Sequence, residues 1–81
     1  MERVLENVKA SSDYTLILTF DNGEVKRFDM KPYLDIGIFK ELKNIKLFNS
    51  VRKSFDTVEW ANEADLDPDI LYKESTNITS N

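Results

Sequence analysis

The sequence predicts a single small α+β domain. It has a twisted antiparallel sheet of about four strands, with short helices between strands and at the C-terminus. Three observations predict it. "YTLILTF" at 14–20 is rich in aromatic and β-branched residues and reads as a strand. "DNG" at 21–23 supplies turn chemistry, because Asn and Gly tolerate the positive φ of tight hairpin turns. "DPDILY" at 67–72 carries a helix start, a capping acid followed by a proline at the first helical position. A chain of 81 residues suits one domain. The folded unit is expected over 1–74, with a polar tail over 75–81 that frays.

The elements follow in order. "RVLENVKA" at 3–10 reads as a first strand with an irregular pattern, since Val4 and Val8 share a parity that Leu5 does not. "SSD" at 11–13 is a turn. In the second strand Leu16, Leu18 and Phe20 lie on one face, with Thr15, Ile17 and Thr19 on the other. "EVKRFDM" at 24–30 should pair antiparallel with it. Two registers are open. A two-residue Asn22-Gly23 turn sets Val25 opposite Phe20, and a three-residue loop with Gly23 in a bulge sets Phe28 opposite Leu16. Val25 and Phe28 have opposite parity, so one regular strand cannot bury both on one face. A bulge or a doubly covered sheet would resolve this.

Pro32 cannot donate to a ladder, so "KPYLDIG" at 31–37 leaves the sheet, and Tyr33, Leu34 and Ile36 cover its edge or end. "IFKELKN" at 38–44 reads as a short helix with Phe39 and Leu42 on one face and Ile38 flanking them. "IKLFNSV" at 45–51 reads as a further helical or 3₁₀ turn anchored by Leu47 and Phe48. "RKSFD" and "TVEW" form either a second hairpin, turning near Asp56-Thr57, or one broken strand.

Composition excludes whole classes of chemistry. The chain has no Cys and no His. That removes disulfides, thiolate nucleophiles, Cys-based zinc sites, the commonest general base and any Ser-His-Asp or Cys-His mechanism. No cofactor or metal is expected. The net charge of −4 argues against direct nucleic-acid binding, which usually needs a basic domain. The basic segment Lys40, Lys43, Lys46, Arg52 and Lys53, opposed only by Glu41, is read as a solvated face or a self-association surface. The charged N-terminus is not a signal peptide, and no apolar run approaches the roughly 20 residues of a membrane span, so a cytoplasmic protein is expected.

"WANEADLDPDILY" at 60–72 is the most acidic stretch. Asp65, Asp67 and Asp69 alternate as in the first half of an EF-hand loop, but Ile70 stands where Gly is required and Thr76 where a bidentate Glu is required. Asp67 and Asp69 have an ordinary role at a helix start. That leaves Trp60, Asn62, Glu63 and Asp65. A Trp near a strand end is more often core than interface, yet Trp is enriched at binding hot spots. These four residues form the candidate interaction surface.

The order of these motifs resembles the bacterial and archaeal family called domain of unknown function 2442, from about Val4 to Tyr72. Its close, Trp-Pro-Asn-Gly-x-Asp-Leu-x-Pro-x-x-Leu-Tyr, is matched by Trp60, Asn62, Asp65, Leu66, Pro68, Leu71 and Tyr72. Phe20, Gly23, Asp29, Gly37, Phe39, Leu42 and Phe48 match earlier positions. Ala61 stands where the family often has Pro, and Glu63 where it often has Gly. The resemblance implies a compact α+β fold and no established activity. Its members are often encoded beside another small protein, which implies an antitoxin-like role toward a co-encoded partner. Some carry a helix-turn-helix, which is not expected here after residue 72. The expected function is therefore a protein-interaction module with a basic, co-encoded partner or a second copy of itself as a homodimer. A nucleic-acid-associated regulator and a carboxylate-based, metal-dependent enzyme are the alternatives.

Overall fold

The structure, a computed structural model, describes residues 4–78. It contains a four-stranded antiparallel sheet in the order β1-β2-β3-β6 and a separate two-stranded sheet, β4-β5. The strands are β1 (Leu5–Ser11), β2 (Thr15–Phe20), β3 (Val25–Asp29), β4 (Arg52–Ser54), β5 (Thr57–Glu59) and β6 (Thr76–Asn77). Two 3₁₀ helices, Lys31–Tyr33 and Gly37–Lys43, and a short helix α1 (Ile45–Phe48) join the sheets, and α2 (Pro68–Glu74) precedes β6. The α+β class is as expected. The fourth strand of the main sheet, however, comes from Thr76–Asn77 within the stretch expected to fray, not from residues 52–60. Residues 79–81 of that tail lie outside the described residues.

The irregular parity of β1 has a local cause. Leu5 pairs with Phe20 and Asn7 with Thr19, so Glu6 is an extra residue in a bulge. The bulge puts Leu5, Val8 and Ala10 opposite Phe20, Leu18 and Leu16, all on the core side, and leaves Val4 exposed. The β2–β3 hairpin takes the three-residue loop: Leu16 faces Phe28, and Gly23 turns the chain at φ +88°. Val25 is then on the outer face, and the core-side position beside Phe28 falls to Lys26. Its stem is buried, and its ammonium lies 3.8 Å from the centre of the Tyr72 ring and donates to the Tyr72 carbonyl at 3.2 Å. A cation–π contact and a hydrogen bond thus replace the apolar contact that the position lacks.

The two sheets enclose one core. Leu5, Leu16, Leu18, Phe20, Phe28 and Met30 face Leu34, Leu42, Phe48, Val58, Trp60, Ala64, Leu66 and Leu71 in a single cluster. Aromatic rings cross it in sequence. Phe28 stacks on Tyr33, Tyr33 meets Phe39, Phe39 meets Trp60, Trp60 meets Phe48 and Phe48 meets Tyr14, with centroids 5.1–6.3 Å apart. These are the separations and tilted geometries that aromatic pairs favour. Among the described residues, no helix is long and apolar enough to cross a membrane.

Candidate interaction surface

The acidic stretch begins where β5 ends. Glu59 makes an isolated antiparallel bridge to Asp65, so the chain turns sharply between them. Trp60 donates its backbone N–H to the Ala64 carbonyl at 2.9 Å, and Glu63 donates its own to the Trp60 carbonyl at 2.9 Å. This is the hydrogen-bond scheme of the β2–β3 turn, where Phe20 donates to Glu24 at 2.9 Å and Gly23 to Phe20 at 3.0 Å. The likeness extends to the asparagines: Asn22 Oδ1 accepts from the Glu24 N–H at 3.0 Å, and Asn62 Oδ1 from the Ala64 N–H at 3.1 Å. "FDNGE" and "WANEA" are therefore the same turn built twice. Its fourth residue must be left-handed. Gly23 meets that at φ +88°, and Glu63 meets it at φ +72° with a full side chain.

Three contacts hold the acidic turn in place. Trp60 Nε1 donates to the Phe48 carbonyl at 2.9 Å, the Ala61 N–H donates to Ser50 Oγ at 3.1 Å, and Asn62 Nδ2 donates to Glu41 Oε1 at 2.8 Å. Farther along, Thr57 Oγ1 donates to the Leu66 carbonyl at 2.6 Å. Asp67 then caps α2, its Oδ1 accepting from the Asp69 N–H at 2.8 Å, with Pro68 next as expected. Such a cap is worth about 1 kcal/mol.

The four candidate residues separate into support and surface. Trp60 has none of its surface exposed and forms part of the core, so it cannot be a solvent-facing anchor. Its place on the candidate surface is corrected to that of a floor beneath it, because its ring and its N–H are both satisfied inside. Asn62 is half-buried, with both ends of its amide engaged in holding the turn. Glu63 and Asp65 are exposed, as are Asp56, Asp67 and Asp69. Glu59 is drawn into an ion pair with Arg52 at 3.0 Å. The outcome is an exposed acidic edge on a rigid support. Among the described residues, no three His, Cys, Asp or Glu side chains gather as a metal site requires.

Sequence reasoning missed Glu41 and Ser50, which brace the turn from 21 and 11 residues away and carry no local signal. It also missed Phe55, whose position between Ser54 and Asp56 in a hairpin loop was the available sign. The β4–β5 loop is Phe55-Asp56, one residue earlier than expected.

The sequence model of the family described as Protein of unknown function (DUF2442) matches residues 5–77. No curated protein and no solved structure matches the chain.

Proposed function

This chain belongs to the DUF2442 family of proteins of unknown function, and from that premise we propose that it is a non-enzymatic protein-interaction module that offers its acidic edge to a basic protein partner. Family membership assigns no activity, so the reading rests on the surface. The observation that carries it is Glu63. A left-handed backbone costs a non-glycine residue roughly 1–2 kcal/mol, and the equivalent turn uses Gly23. Here the cost holds an exposed carboxylate at the tip of a braced turn, next to Asp65. Strain kept at an exposed carboxylate, where among the described residues no packing contact of its own side chain offsets it, supports a functional reading. An acidic edge of this kind orients and speeds the docking of a basic surface. A small co-encoded protein, with this chain on the antitoxin-like side and both in the cytoplasm, is the specific form of the proposal.

The test is affinity capture of the tagged chain from its native host, with bound proteins identified by mass spectrometry. Wild type should retain one stoichiometric partner. The double variant Glu63→Lys/Asp65→Lys should lose it while keeping a native circular dichroism spectrum, and Glu6→Lys in the β1 bulge should retain it. Capture that survives the double reversal would sink the proposal.

A further inference from the structure

We propose that a second copy of this chain covers the groove beside β1, with Phe55 of each copy inserted into the groove of the other. This goes beyond the acidic-edge reading and shares with it only Asp56. Phe55 is 90% exposed, far above the next large apolar side chain, Ile36 at 55%. It stands at φ +56° at the first position of the two-residue β4–β5 loop, where glycine is favoured. A phenyl ring held outward at such a position is presented to whatever surface docks there.

A complementary socket lies on the same chain. A groove of about 500 Å³ runs beside β1, lined by Val8, Ala10, Ile45 and Val51, with Lys9 among its walls. Its volume admits a phenyl ring with room to spare. β1 is also an edge strand of the main sheet, bonded within it to β2 alone. The charges match: the plug is Phe55 followed by the exposed acid Asp56, and the socket carries Lys9 beside the polar Ser12 and Asn49 and its four apolar residues. Both halves belong to one chain, so a second copy supplies each with its complement. Val51 in the socket and Phe55 at the tip are four residues apart along an extended segment, about 13 Å at the usual strand rise. In the proposed dimer a two-fold axis passes between plug and socket, so that the reciprocal exchange closes rather than running on as a filament.

The experiment is sedimentation equilibrium of the whole chain from micromolar to millimolar concentration. Wild type should show a monomer–dimer equilibrium. Phe55→Asn should weaken it at least roughly tenfold, and because Asn tolerates the left-handed conformation, this variant keeps its fold. Ile45→Glu should weaken it similarly from the socket side. Lys9→Glu and Asp56→Lys should each weaken association, and the two together should restore it. In a mixed isotope-labelled sample, the Phe55 ring of one copy should show NOEs to the methyls of Val8 and Ile45 of the other. A chain that stays monomeric throughout overturns the proposal. So does a dimer indifferent to Phe55→Asn and Ile45→Glu, or a different protein that covers Phe55 on a monomeric chain. Self-association lost only in Glu63→Lys/Asp65→Lys would place the contact on the acidic edge, and would also overturn it.

Discussion

Glu63 and Gly23 occupy equivalent positions in two turns of the same build, which makes them a matched pair for mutation. Glu63→Gly should stabilise the fold by about 0.5–1 kcal/mol, because it relieves the left-handed strain while adding some chain entropy to the unfolded state. Gly23→Ala should destabilise it by about 1 kcal/mol. No atom lies within 4 Å of where the new Cβ would sit, so φ alone sets the cost. For a domain of this length, 1 kcal/mol moves the melting midpoint by roughly 4–8 °C, and a thermal scan checks both. The proposed function adds that Glu63→Gly should bind its partner less well although it is more stable, the opposition expected where strain serves a site. Gly23 was legible in the sequence because glycine advertises a left-handed position. Tyr14, Phe55 and Glu63 adopt the same conformation without that sign, and for Tyr14 and the Glu63 turn the contacts that hold them come from distant residues. Tyr14, for example, donates its hydroxyl to the Lys43 carbonyl and packs its ring on Phe48.

Strands and helices were legible where their signals were local. The β2–β3 hairpin and the Asp67-Pro68 start of α2 are set by neighbours in sequence, and both formed as the residues imply. The bulge in β1 could be seen only as an unresolved parity, and β6 not at all. Thr76 and Asn77 become a strand by pairing with β3, and the Ile78 N–H continues the ladder to the Val25 carbonyl at 2.9 Å. The exit from β3 carries a pH dependence. Asp29 Oδ1 accepts from the Lys31 N–H at 3.0 Å and pairs with its ammonium at 3.0 Å. The Lys31 backbone N–H first, and then its side chain, hold the Asp29 carboxyl below its ordinary value against a smaller opposing effect of burial. Asp13, through the Thr15 hydroxyl, and Asp35, through Lys43, are lowered in the same direction. A carboxyl lowered by folding stabilises the fold above its unfolded value, about 3.9, and that stability is lost as pH falls through the lower folded value. Asp29→Asn keeps an acceptor for the Lys31 N–H and removes the charge. Its urea stability should therefore fall less steeply than that of wild type between about pH 5 and 2. Solvent screens this half-exposed pair, so the difference should stay below about 1 kcal/mol.

On the scale of the whole molecule, the acidic edge depends on a core that both sheets share. Trp60 sits under that edge, holds the Phe48 carbonyl of α1 and links through Phe39 and Tyr33 to Phe28 of β3. Neither sheet encloses these rings alone, so the β4–β5 hairpin should not detach while the main sheet persists. Trp60 is the one tryptophan of the chain, and its fluorescence reports the β4–β5 side. Far-UV circular dichroism reports the backbone of both sheets. The two signals should follow one urea transition with one midpoint, as a small two-state domain requires, with a slope of about 1 kcal/mol per molar. A fluorescence transition that came first would mean that the acidic edge opens by itself. The native emission should be blue-shifted and resist iodide, because no part of Trp60 reaches solvent. Trp60→Phe removes the indole donor and leaves the buried Phe48 carbonyl only the long bond from the Val51 N–H at 3.4 Å, which costs about 1–3 kcal/mol. A chain of this size has only roughly 4–12 kcal/mol in all. That variant should lower both transitions together and by the same amount, and its partner capture should weaken only as its unfolded fraction grows, since the carboxylates that meet the partner are unchanged.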